Sequence, residues 1–149
     1  MLIRKAKLED CSKIDNLLTL LIRDEKQYDD SIDSFFTVIG YYENFVNDPN
    51  RCLLVAENND EIIGYIYGFK QEQDPTSSKI EYLLDALYVK EEYRKQEVAS
   101  LLIQEFKKWC KEKKATCINV NVNSQNTKAK NLYQKENFVT VKETMSTEL

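Results

Sequence analysis

Apolar residues along this chain recur in two periods, and the switches between them mark out the elements. From Leu2 to Lys7 apolar and polar positions alternate, which predicts a short strand. Glu9 and Asp10 then place acid in the first turn of a helix, where the dipole favours it, and Ile14, Leu17, Leu18 and Leu21 give that helix a buried face. Tyr41 to Val46 reads as a further short helix, closed by the turn pair Asp48-Pro49. Arg51 to Glu57 and Glu61 to Lys70 are two strands around Asn58-Asn59-Asp60, a hairpin whose turn residues suit positive φ. Gly64 and Gly68 inside the second of these predict a bulge or close backbone packing. A loop from Gln71 to Ser78 leads to another strand, Lys79 to Val89, most apolar from Leu83 onward. The charged turn Lys90 to Gln96 follows. From Val98 a helix carries Val98, Leu101, Leu102, Phe106, Trp109 and Cys110 on one stripe, with Lys111, Lys113 and Lys114 at its end. Thr116 to Val122 is a strand, Asn123 to Thr127 a polar loop, Lys128 to Lys135 a short helix, and Phe138 to Met145 a final strand. No repeat or linker interrupts the 149 residues, which read as a single domain.

Composition narrows the chemistry. An apolar fraction of 42% with 31% charged residues is that of a soluble globular protein. No apolar run approaches the roughly 18 residues a membrane span needs, and the apolar part of MLIRKAK is too short for a signal peptide. A membrane is therefore not an expected partner, and the expected compartment is cytoplasmic. Cys11, Cys52, Cys110 and Cys117 show no paired spacing, and the chain has no histidine. Dispersed thiols of this kind fit a reduced protein with no metal site, and any catalysis has to manage without imidazole. A net charge of −4 argues against nucleic acid. The segment DEKQYDDSID, Asp24 to Asp33, holds five acids and one lysine. It is either a solvated connection or an acidic mouth for a cationic substrate, bound by Asp24, Tyr28, Asp29 and Asp33.

The stretch Tyr82 to Leu102 joins an apolar strand to a helix through a polar turn. Unpaired N–H groups of the first helical turn and the helix dipole suit such a turn to an anion, here a pyrophosphate, and Arg94 and Lys95 add cations. The run Arg94-Lys95-Gln96-Glu97-Val98-Ala99 is similar to R/Q-x-x-G-x-G/A, and Asn126-Thr127-Lys128-Ala129-Lys130-Asn131-Leu132-Tyr133 to N-x-x-A-x-x-L-Y. Lys135-Glu136-Asn137-Phe138 follows where a K-x-G-F is expected, and asparagine tolerates the left-handed backbone of the missing glycine. With these motifs and its order of elements, the chain resembles the GNAT superfamily of acyl-CoA-dependent N-acyltransferases over essentially its full length.

The resemblance implies an α+β fold in α/β/α layers, a mixed and mostly antiparallel central sheet flanked by about four helices. It implies acetyl-CoA as acyl donor, its pyrophosphate wrapped by Arg94, Lys95, Gln96, Glu97, Val98, Ala99 and Ser100. Leu87, Tyr88 and Val89 would hold the thioester and pantetheine, with Asn126 and Ala129 further along that arm. Tyr133 is implied as general acid. Asp85, and Glu81 through water, are candidate bases on one strand face with Leu87 and Val89. The acceptor would be a primary amine of a small cationic molecule or a peptide N-terminus, and many members of the family pair as homodimers. Plainer readings stand beside these: Asp85 as an ion-pair partner, Tyr133 as a packed aromatic, Asn126 as a helix N-cap.

Glu97 departs from the family, standing where the loop has its first glycine. A carboxylate roughly 6 Å from a pyrophosphate charge, on a left-handed backbone, weakens binding by about one to three decades. The alternative function is therefore a non-catalytic GNAT-like binding module with an impaired coenzyme A site.

Overall fold

In the computed structural model, which describes residues 1–149, the alternating segments form strands β1 (Leu2–Lys5), β2 (Arg51–Asn58), β3 (Glu61–Lys70), β4 (Glu81–Val89) and β5 (Cys117–Val120). They lie side by side in sequence order, antiparallel except for the last pair, β4 with β5. Asn59 and Asp60 take positive φ in the β2–β3 turn. Three α-helices cover the sheet: α1 (Cys11–Glu25), α2 (Val98–Glu112) and α3 (Thr127–Lys135).

Each sheet face has its own core. On one, Val98, Leu102, Ile103, Phe106 and Cys110 of α2 pack on Cys52, Leu54, Ile63, Ile66, Tyr82 and Leu84. On the other, Cys11, Ile14 and Leu17 of α1 pack on Leu53, Val55, Tyr65, Tyr67, Ala86 and Tyr88. Leu101, expected on the buried stripe of α2, is exposed, and Ile103 takes its place. At 3.6 residues per turn, Leu101 lies roughly 140° around the helix from Phe106.

Both glycines of β3 sit beside bulges, as their positions in the strand predicted. The β2–β3 register slips between Ala56 and Glu57, next to Gly64. The β3–β4 register slips between Tyr67 and Gly68, opposite Asp85. A Cβ at Gly68 would collide with the Phe106 ring and lie 2.5 Å from the Leu83 carbonyl oxygen, so glycine here lets α2 sit close on the sheet.

Three expected elements change. Tyr41 to Val46 is not an α-helix but a 3-10 turn, Tyr42–Asn44, which leaves three helices rather than about four. Its cause is local: the buried carboxylate of Asp15 accepts from the N–H groups of Gly40 and Tyr42 at 3.0 and 3.1 Å, gathering the chain into a tight turn. The Tyr42 ring is thereby driven into the core. The strand expected over Phe138 to Met145 is also absent, since Val139 onward finds no neighbouring strand and is exposed. The β5 strand is shorter than Thr116 to Val122. No helix is long and apolar enough to cross a membrane.

Candidate active site

The site begins where the sheet comes apart. Pairing of β4 with β5 runs only from Glu81–Cys117 to Leu84–Val120. Beyond it, from Asp85 to Val89, one edge of β4 has no neighbour. The N–H of Lys90 donates to the Ile63 carbonyl at 2.8 Å, so that residue faces β3. Backbone direction alternates along a strand, which turns Tyr88 and Ala86 the same way and leaves the N–H groups of Leu87 and Val89 on the open edge. The Val89 carbonyl points there too, and accepts from Nε of Arg94 at 2.8 Å.

The bulge decides which way Asp85 points. Tyr82 and Leu84 face α2, and so do Leu87 and Val89, whereas Ala86 and Tyr88 face α1. The extra residue in β4 therefore places Asp85 and Ala86 together on the α1 side. Asp85 does not share a face with Leu87 and Val89 as strict alternation predicts, because alternation fails across a bulge. Glu81 lies four residues earlier, roughly 13 Å along the strand. Its carboxylate is tied to Asn119 of β5 at 3.3 Å, and the structure does not bring it to the same place.

At the C-terminal end of the open edge, the turn into α2 presents a run of free backbone N–H groups. Lys95 and Glu97 both adopt left-handed backbone, with φ of 61° and 66°. None of the six consecutive N–H groups from Lys95 to Ser100 donates to a protein acceptor. They stand at the positive end of a 15-residue helix. The turn is pinned to the β2–β3 hairpin, where Glu61 accepts from Lys90 Nζ at 2.6 Å and from the Tyr93 hydroxyl at 3.1 Å. Arg94 is less free than expected: besides Val89 it reaches Asp24 at 3.3 Å and lies over the Tyr88 ring. Glu97 is not bare. Lys135 Nζ, from the end of α3, donates to both of its carboxylate oxygens at 2.8 and 2.7 Å. That cation holds the Glu97 carboxyl below its ordinary value.

Helix α3 supplies the second motif. Asn126 caps it, its side-chain oxygen accepting from the Ala129 N–H at 3.1 Å, while its NH2 group has no protein partner. Tyr133 is half-buried, its ring edge-on to Phe138 at 5.5 Å, and its hydroxyl has no protein partner. Burial and then the charge of Glu25 push the phenol up to about 12. Asn137 takes φ of 68°, the conformation expected of it.

Glu25 is the residue the sequence reading passed over. Its carboxyl is pushed upward by burial, then by Asp85 and Asp29. The carboxyl of Asp85 is likewise raised by partial desolvation and partly held down by Arg51, although the side chains of both Asp85 and Glu25 are exposed. Asp85 also acts on the phenols of Tyr41, Tyr42, Tyr65 and Tyr67, so its carboxylate stands over a tyrosine floor. Within that floor the hydroxyls of Tyr42 and Tyr65 are 3.0 Å apart, and Arg51 donates to Tyr67. Three of the other four acids of the Asp24–Asp33 segment have protein partners, and the Asp30 carboxylate has none. Asp24 pairs with Arg94, Asp29 accepts from the N–H and hydroxyl of Ser31, and Asp33 accepts from the Phe35 N–H. Tyr28 is half-buried with no hydrogen bond to its hydroxyl. A signal for Glu25 was present, since it continues the stripe of Ile14, Leu17, Leu18 and Leu21 at the next i+4 position.

The Acetyltransferase (GNAT) family matches residues 9–138, and the chain belongs to that family. An acetyltransferase from Vibrio fischeri is 30% identical over 80% of this chain and 94% of its own, with a TM-score of 0.66. A mutant of the BH1408 protein from Bacillus halodurans superposes with a TM-score of 0.90 at 20% identity, covering 100% of this chain and 99% of that one. An aminoglycoside acetyltransferase from an uncultured soil metagenomic sample has a TM-score of 0.77 at 18% identity, covering 99% and 94%. The latter two are likenesses of fold. No curated protein matches the chain.

Proposed function

We propose that this protein transfers an acetyl group from acetyl-CoA to a primary amine of a small cationic molecule or peptide N-terminus, by direct attack of the amine on the thioester. The observation that carries the reading is the open edge of β4, with free amides at one end and two carboxylates beside it. The residues fit the donor: six unpartnered N–H groups and the α2 dipole suit a pyrophosphate, and the Leu87 and Val89 amides suit the pantetheine and thioester. Bound acetyl-CoA supplies the activated acyl group and a thiolate leaving group.

The chain's own residues account for the remaining steps. An alkylammonium has a pKa of about 10 and must lose a proton before it attacks. Asp85 and Glu25 attract the cation, and a carboxyl raised by burial is a better proton acceptor than an ordinary one. Of the tyrosines beneath Asp85 only Tyr41 is exposed, so it alone offers an aromatic surface to the same cation. Tyr133 stays protonated, but at about 12 its proton is held more tightly than a thiol of about 8.5 would hold it. Its role is thus a hydrogen bond that stabilises negative charge on the departing sulfur, rather than complete proton transfer. A homodimer, common in the family, would find unpaired backbone on the outer edge of β5.

The alternative, a non-catalytic binding module, rests on Glu97, and the Lys135 ion pair weakens its basis. Thiol release from acetyl-CoA with polyamines, amino acids, aminoglycosides and peptides separates the two. The enzyme reading expects turnover with a cationic amine, reduced about 100-fold in Tyr133→Phe with little change in KM for acetyl-CoA. Silence across the whole panel from a well-folded protein would favour the module.

A further inference from the structure

We propose that Lys135 is the positioning residue that makes the glutamate-bearing loop competent for a polyanion: it neutralises Glu97 and engages both oxygens of its carboxylate, leaving the six amides free. The inference rests on the pyrophosphate reading of that loop and deepens it.

Three observations converge. The first is a conflict within the loop. A carboxylate at the N-cap of α2 faces the same N–H groups and dipole as an incoming phosphate, so Glu97 is a ready competitor for its own helix end. The second is where the carboxylate actually goes. No N–H from Lys95 to Ser100 donates to it, and both its oxygens instead take Lys135 Nζ, 38 positions along the chain. The third is exposure. The two side chains are 56% and 66% exposed, so water and salt screen the pair and it does little for the fold. Its consequence is felt when a second anion arrives, because the ammonium then offsets the charge of Glu97 that would repel it. Lys128 and Lys130, on the same helix, make no such contact. The pair also ties α3, which carries Asn126 and Tyr133, to the loop.

The test is a double-mutant cycle over Glu97 and Lys135. Coenzyme A is titrated by calorimetry, and inorganic pyrophosphate by the amide shifts of Lys95 to Ser100. Lys135→Met leaves a bare carboxylate roughly 6 Å from a phosphate charge, which weakens binding by about 3- to 100-fold. Adding Glu97→Gly to Lys135→Met brings affinity back to within about 3-fold of wild type, and Lys135→Arg retains it. Thermal stability stays unchanged in Lys135→Met, which separates the effect from unfolding. Wild-type affinity in Lys135→Met overturns the inference. So does a double variant as weak as Lys135→Met, since Lys135 would then act on the anion directly. If pyrophosphate follows the cycle while coenzyme A binds no variant, the Lys135 inference stands and the acetyl-CoA reading falls. If neither ligand binds any variant, both fall.

Discussion

A carboxyl group accepts a proton usefully near neutral pH only when something lifts it from its usual value of about 4. Partial desolvation pushes both Asp85 and Glu25 in that direction although both stay exposed, and Glu25 is lifted further by the charge of Asp85. A base of this kind is inactive when protonated, so kcat/KM rises with pH along a limb displaced above the ordinary carboxylate range. Asp85→Asn is expected to lower kcat/KM by about 100-fold and to shift or remove that limb. The direction of any shift is fixed: losing the negative charge beside Glu25 lets its carboxyl ionise at lower pH. A pH–rate profile of wild type and variant checks this, and identical limbs would exclude Asp85 as the base. Arg51 opposes the lift of Asp85, so its place on the tyrosine floor is electrostatic as well as structural.

At the scale of elements, the bulge opposite Gly68 puts Asp85 on the α1 side, and Gly68 also lets Phe106 of α2 onto the sheet. Gly68→Ala forces either the helix or the strand to move. It is expected to destabilise the fold by about 1–3 kcal/mol, read as a lower denaturation midpoint at unchanged m value. An unaltered midpoint would show that α2 does not need the close approach. The same place marks a limit of what the sequence discloses. Two glycines in an apolar strand signalled bulges, and the left-handed turn at Glu97 was legible because the motif has glycine there. Which residue of β4 would be displaced was not legible, because a bulge is set by the register of two strands and not by either alone. Lys135 was hidden for a similar reason. Its partner lies 38 positions away, and only the packing of α3 brings them together. Leu101 and Ile103 exchanged roles because they flank Leu102 by about 100° on either side, and a stripe through Leu102 can take either until the helix is docked.

Across the whole molecule, the packed structure ends at Phe138, and so does the family match. The Phe138 ring lies edge-on to Tyr133, with Lys107 Nζ 5.2 Å above it, and joins α3 to the core under α2. Val139, Val141 and Met145 alternate with polar residues as a strand should, yet they are 78%, 76% and 91% exposed. Alternation states which face a strand would bury, but a strand forms only when a ladder partner accepts its backbone groups, and none lies alongside. The helices were easier to read because their hydrogen bonds are local. Residues 139–149 therefore contribute almost nothing to the stability of this fold, whereas Phe138 contributes measurably. A chain stopped after Phe138 should melt within about 1 °C of full length, while Phe138→Ala in the full chain should lower Tm by several degrees, on the order of 2 kcal/mol for a half-buried aromatic. Thermal unfolding of the two proteins beside wild type decides the matter. A large loss from the truncation, with little from Phe138→Ala, would mean that the final segment pairs with an edge in solution and that the sheet has a sixth strand.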